Sequence, residues 1–147
     1  MVRIVAVLVL AGVTAASAAP VDTLFQQFGL FGTWATDCWQ AASPANPHVI
    51  ISTPSPGLVL ENHDLGPSYA VNHYRMLSAE RVSAEQLSVV VVFQPGTDDE
   101  ERQKLVFRVR KGTRRTMLNE AEGGTVRVKD GIVVGRGSET PELNKCE

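Results

Sequence analysis

Gln86-Leu87-Ser88-Val89-Val90-Val91-Val92-Phe93-Gln94 is followed by the turn Pro95-Gly96-Thr97-Asp98-Asp99 and then by Lys104-Leu105-Val106-Phe107-Arg108-Val109-Arg110. The first run is dense in β-branched residues and stops at proline and glycine, the pattern of a strand. The last run alternates: Leu105, Phe107 and Val109 share one face, and Lys104, Arg108 and Arg110 share the other. If the two strands pair antiparallel, their large apolar faces lie on one side, because a slip of one residue would turn one set to water. This register puts Phe93, Leu105 and Phe107 in a core and Lys104, Arg108 and Arg110 in solvent. Val90 and Val92 report on the outside. Their burial implies a covering layer, and their exposure implies a simple barrel.

Working outward, residues 48–53, 58–61, 69–79, 114–120, 125–128 and 132–134 read as further short strands. Turn signals separate them, among them Pro54-Ser55-Pro56-Gly57, the loop at residues 62–67, Gly123-Gly124 and the tight turn Lys129-Asp130-Gly131. Val21, Leu24, Phe25 and Phe28 recur at helical spacing and Gly29 ends that segment. Gly32-Thr33-Trp34 then opens an extended stretch, and residues 41–47, with two prolines, form a loop. About eight short strands and one short N-terminal helix describe an all-β fold of antiparallel neighbours. A small barrel is the expected form, since closure removes the edges that a valine-rich sheet would offer to other chains.

Residues 1–18 read as a signal peptide. Arg3 gives a positive start, residues 4–13 an apolar run, and Ala16-Ser17-Ala18 a small-x-small cleavage pattern. An apolar run of about ten residues is short of the roughly 20 that a membrane-spanning helix needs. The expectation is a periplasmic or secreted protein with one domain at residues 19–147. Removing Arg3 with the signal moves the formal charge from −2 to −3. Neither value supplies the basic excess that would hold nucleic acid or an acidic membrane surface. The chain has two cysteines, Cys38 and Cys146. In an exported chain the default is one disulfide, the alternative being two free thiols. Closing a loop of roughly 110 residues stabilises by up to about 5 kcal/mol. A glycine-flanked tryptophan beside such a bridge, Trp34, is expected to be a buried anchor.

Two resemblances follow from these residues. Gly32-Thr33-Trp34, after a short helical turn and at the start of a first strand, resembles the Gly-x-Trp opening of the lipocalin and calycin group. That resemblance implies a barrel closed at one end by the tryptophan, with a cavity above it. Gly32-Thr33-Trp34-Ala35-Thr36-Asp37-Cys38 and Glu139-Thr140-Pro141-Glu142-Leu143-Asn144-Lys145-Cys146 are similar to the opening and close of small exported α-proteobacterial proteins of unassigned function. This second resemblance spans residues 32–146, supports export and the disulfide, and implies no activity.

Catalytic patterns are sparse. His48, His63 and His73 make no i, i+2 or i+4 pair and join no zinc-like cluster, so no metal and no cofactor is expected. His63-Asp64 reads as a solvated loop. No Gly-x-Ser-x-Gly elbow occurs. Gly135-Arg136-Gly137-Ser138 opens no helix, and the acids at 98–101 describe a solvated turn. The strand at 69–79 sets Tyr69, His73 and Arg75 on one face against Asn72 and Tyr74 on the other. Whichever face lines a cavity fixes the polar end of a ligand, Tyr69, His73 and Arg75 or else Asn72 and Tyr74; the first set, with Trp34, is the candidate. Arg108, Arg110, Arg114 and Arg115 flank the turn at Gly112 and form a candidate patch for an anionic partner. The expected function is therefore non-catalytic: binding of a small apolar or amphiphilic ligand in the barrel. The alternative is a protein-binding module similar to barrel-shaped protease inhibitors, which also carry a first-strand tryptophan and one disulfide.

Overall fold

The computed structural model describes residues 19–146; the signal peptide read at residues 1–18 lies outside them. The register of the central pair is as the alternation requires. β5 (Gln86–Phe93) and β6 (Glu101–Arg110) pair antiparallel with Leu87 opposite Phe107, Val89 opposite Leu105 and Phe93 opposite Glu101. Leu105 and Phe107 are buried, Lys104 and Arg110 are exposed, and Arg108 is half-exposed on the outer face. Val92 is buried on that outer face at 7% exposure, although no second layer lies there. Its cross-strand neighbours on that face are Arg75 and Arg102, and arginine stems lie along apolar surface.

Before this pair the chain forms α1 (Val21–Gln27), β1 (Gly32–Ala35), β2 (His48–Ser55), β3 (Leu58–Asp64) and β4 (Asn72–Arg81). After it come β7 (Thr113–Ala121), β8 (Val126–Lys129), β9 (Ile132–Val133) and β10 (Glu142–Cys146). Strands β1 to β7 follow one another as antiparallel neighbours, and β10 pairs with both β1 and β7, which closes an eight-stranded barrel. The two terminal motifs meet at this seam: Thr33 lies opposite Cys146, Trp34 opposite Lys145 and Ala35 opposite Asn144. The β8–β9 hairpin continues past β7 through Asp130 and Gly131, both at positive φ (52° and 76°), as a two-residue primed turn demands. Several boundaries differ from the sequence reading: β2 includes Pro54 and Ser55, which read as turn, β6 begins at Glu101, which read as part of a solvated acidic turn, and β10 lies in a tail that read as no strand. β3 runs on to Asp64, so His63 is a strand residue, and β4 starts at Asn72, leaving Tyr69 in the preceding loop.

One end of the barrel is closed and apolar. Val21, Leu24 and Phe25 of α1 are buried in the same core cluster as Leu30, Trp34, Val59 and Leu87. Trp34 is 1% exposed and its indole donates to Leu30 O at 2.8 Å. Asp22 accepts the Gly57 amide at 2.8 Å and fastens the β2–β3 turn to the helix. No helix among the described residues is long and apolar enough to cross a membrane.

Cys38 and Cys146 are bonded, with Cα atoms 5.5 Å apart. The loop that carries Cys38 is ordered by Asn46, a buried amide whose Oδ1 accepts from Asp37 N and whose Nδ2 donates to Asp37 O, both at 2.9 Å. Gly66 crosses this loop so closely that a Cβ would lie 2.7 Å from Ala42 O, and its φ is +95°.

Candidate ligand site at the barrel mouth

The inward face of the barrel changes character towards the end opposite α1. On β3 the inward residues are Val59, Glu61 and His63, and on β4 they are Met76 and Tyr74. Across the barrel, β7 turns Arg114, Thr116 and Asn119 inward, opposite Val109, Phe107 and Leu105 of β6. Arg114 Nη2 donates to Glu61 Oε1 at 2.9 Å, and both side chains are 3% exposed or less. His63 Nε2 lies 2.7 Å from the same oxygen. Because the ionised carboxylate only accepts, that nitrogen carries the proton. The guanidinium also stacks on Phe107, its Cζ 4.0 Å from the ring centroid. The His63, Tyr74 and Phe93 rings follow one another in tilted contact, with centroids 4.9 and 5.1 Å apart.

The electrostatics are those of a desolvated ion pair. Burial pushes the Glu61 carboxyl up, but Arg114 and the His63 hydrogen bond together outweigh it and hold the group down at about 2. Burial, reinforced by the Glu61 charge, pushes the Tyr74 phenol up to about 12. Nearer the rim, Arg127 of β8 makes two hydrogen bonds to Glu101, at 2.7 and 3.0 Å, and with Gln103 holds that carboxyl below its usual range.

A cavity of about 220 Å³ opens among Val49, His63, Arg114, Asn119, Val128 and Leu143. It has apolar walls from β2, β8 and β10 and polar ones from β3 and β7. Four buried side-chain atoms have no hydrogen-bond partner among the described residues: Arg114 Nε, Arg114 Nη1 and Asn119 Oδ1, on residues that line the cavity, and Glu61 Oε2, on the partner of Arg114. Native interiors leave few such atoms, so this concentration needs a reason. Among the described residues no group of three or more His, Cys, Asp and Glu is arranged to hold a metal.

The residues singled out by sequence fall elsewhere. Trp34 packs at the closed end. His73 and Arg75 point outward from β4, where His73 Nδ1 meets Asn62 Oδ1 at 2.7 Å, and Tyr69 is exposed in its loop. The inward face of β4 is the other one, with Asn72, Tyr74 and Met76, so Tyr69, His73 and Arg75 do not line the cavity. The four arginines do not form one patch. Arg108 faces Arg115 across β6 and β7, and Arg110 is paired with Glu85, but Arg114 lies inside the barrel. Arg115 is bonded to Thr140 Oγ1, Gly131 O and Glu139. Glu61, His63, Arg114 and Asn119, the working residues of the mouth, were not placed there by the sequence reading. A signal for Arg114 exists: the two-residue turn Lys111-Gly112 sets Val109 opposite Arg114, so an inward Val109 forces Arg114 inward.

Comparison with protein-family models, with curated proteins and with solved structures returned no match.

Proposed function

We propose that this is an exported, non-catalytic barrel that binds one small amphiphilic ligand at its mouth. The polar end of the ligand lies against Arg114 and the apolar end against Val49, Val128 and Leu143. The observation that carries this reading is Arg114: a guanidinium 3% exposed, on the wall of a cavity, with two nitrogens unpartnered. The ligand site is the mouth and not a deep apolar cup, because Trp34, Met76, Leu87, Val89, Val91 and Phe107 occupy the barrel below it. A volume of about 220 Å³ falls short of the pockets for drug-sized molecules and suits a short ligand or the end of a longer one. Non-catalysis is supported by the direction of the two large pKa shifts. Acid–base catalysis wants groups poised near the working pH, whereas Glu61 and Tyr74 are driven away from it. Export is supported by the residue pattern at 1–18 and by a disulfide of the kind that persists in oxidising compartments.

A second reading, binding of a protein, has one observation of its own. Trp39, next to the disulfide, is 97% exposed, and tryptophan is enriched at the centres of protein interfaces. Native mass spectrometry of the protein purified from its own host separates the two. A retained small mass that disappears in the double variant Glu61→Leu/Arg114→Met, with the fold intact, supports the ligand reading. A retained polypeptide that disappears in Trp39→Ala, with no small mass, replaces it by the second.

A further inference from the structure

The wall of the mouth cavity has a fixed hydrogen-bonding polarity, set by a relay that begins at the rim. Glu101, ionised and held by Arg127, can only accept. Gln103 must therefore turn its NH₂ group to Glu101, at 2.6 Å, which leaves Gln103 Oε1 to accept from Asn119 Nδ2 at 3.3 Å. Asn119 is thereby oriented with Oδ1 away from Gln103, buried and unpartnered. Arg114, which lines the same cavity, keeps Nε and Nη1 as unpartnered donors with almost no exposed surface, just behind the wall. Phe107 covers one face of the guanidinium, so a head group that inserts into the wall meets its edges. The site thus offers donors and an acceptor together, and the Arg114 charge is already matched by Glu61.

Resting on the ligand-binding reading above, we infer that the polar end of the ligand is neutral and both accepts and donates hydrogen bonds, as a primary amide or a hydroxyl does. Its oxygen accepts from Arg114, and its N–H or O–H donates to Asn119 Oδ1. A carboxylate has no proton for Asn119 and brings a second anion towards Glu61. An ammonium meets the guanidinium charge. Either leaves an uncompensated charge in a desolvated pocket, which is costly.

Hexanamide and hexanoate, equal in length and differing in the head alone, test this on the wild-type protein at pH 7. Binding is followed by the imidazole NMR signals of His63, with those of outward-facing His73 as reference. Hexanamide is expected to shift the His63 signals and to bind about tenfold more tightly than hexanoate, the worth of one or two buried hydrogen bonds. Asn119→Leu is expected to erase that preference. Hexanoate binding as tightly as hexanamide or more so, with His63 shifting, overturns the neutral head group and leaves the ligand reading intact. No His63 shift with either probe overturns both.

Discussion

At the end of the barrel closed by α1, Phe25, Leu30, Trp34 and Leu87 are at most 1% exposed, and the polar atoms among them are satisfied by main-chain carbonyls. The Trp34 indole bonds Leu30 O, and Lys145 Nζ bonds Gly29 O, each at 2.8 Å. At the mouth, Glu61 and Arg114 are buried almost as deeply, yet they leave three of their polar atoms without partners. Both ends bury these groups, but only at the first is each of the polar atoms named partnered. Burying an ion pair is seldom better for stability than apolar residues of the same shape, and each unsatisfied atom adds a penalty. The closed end therefore holds the fold together, while the mouth retains groups that the fold does not need.

The largest effect expected from breaking this contrast is at the closed end. Trp34→Ala should cost about 3–5 kcal/mol, as removal of a fully packed aromatic does, read as a fall in the unfolding free energy. An unchanged denaturation midpoint would remove Trp34 as the anchor. Next in size is the bridge across the seam. Replacing Cys38 and Cys146 together by serine should cost about 2–4 kcal/mol. The loss should appear with faster amide exchange in the loop ordered by Asn46 and little change around Glu61; equal loosening at both places would deny that the two regions are separate.

A smaller effect belongs to the mouth and depends on pH. The Glu61 carboxyl lies at about 2 in the folded protein against an ordinary 4.5. Below 4.5 the unfolded chain takes up a proton that the native state refuses. The stability contributed by this group is thus complete above about pH 4.5 and is lost as pH falls towards 2. Thermal melts between pH 5 and 3 should fall less steeply in Glu61→Gln than in the wild type. Identical slopes would mean that Glu61 is not held ionised.

The closed end was the more legible in sequence, and the reason is physical. Apolar alternation in β5 and β6 and helical spacing in α1 state which face is buried, and the Gly-x-Trp resemblance at Gly32–Trp34 implies which end is closed. The mouth contradicts the rule on which such reading rests, that charged residues face water. In β3, Leu58 and Leu60 alternate with Val59, Glu61 and His63, so apolarity alone favours the wrong face. The same ambiguity on β4 leaves its two faces undecided, and the face chosen as the candidate, with His73 and Arg75, is the outer one. Arg114-Arg115 reads as a surface pair, yet adjacent strand residues face opposite ways, and one of the two had to enter the barrel. The motifs Gly32–Cys38 and Glu139–Cys146 were visible at the ends of the domain. The expected disulfide brings them together, but their pairing as β1 and β10 is not legible, because the polar residues 142–146 carry no strand alternation.

The claim that the mouth is kept for binding and not for stability is tested most directly by the unfolding free energy of Glu61→Leu/Arg114→Met beside that of Arg114→Met alone. The single variant strands a buried carboxylate and should lose about 3–5 kcal/mol. The account predicts that the double variant regains this loss and stands within about 1 kcal/mol of the wild type, or above it. A double variant as unstable as the single one would contradict the account, because the Glu61–Arg114 pair would then be holding the barrel together.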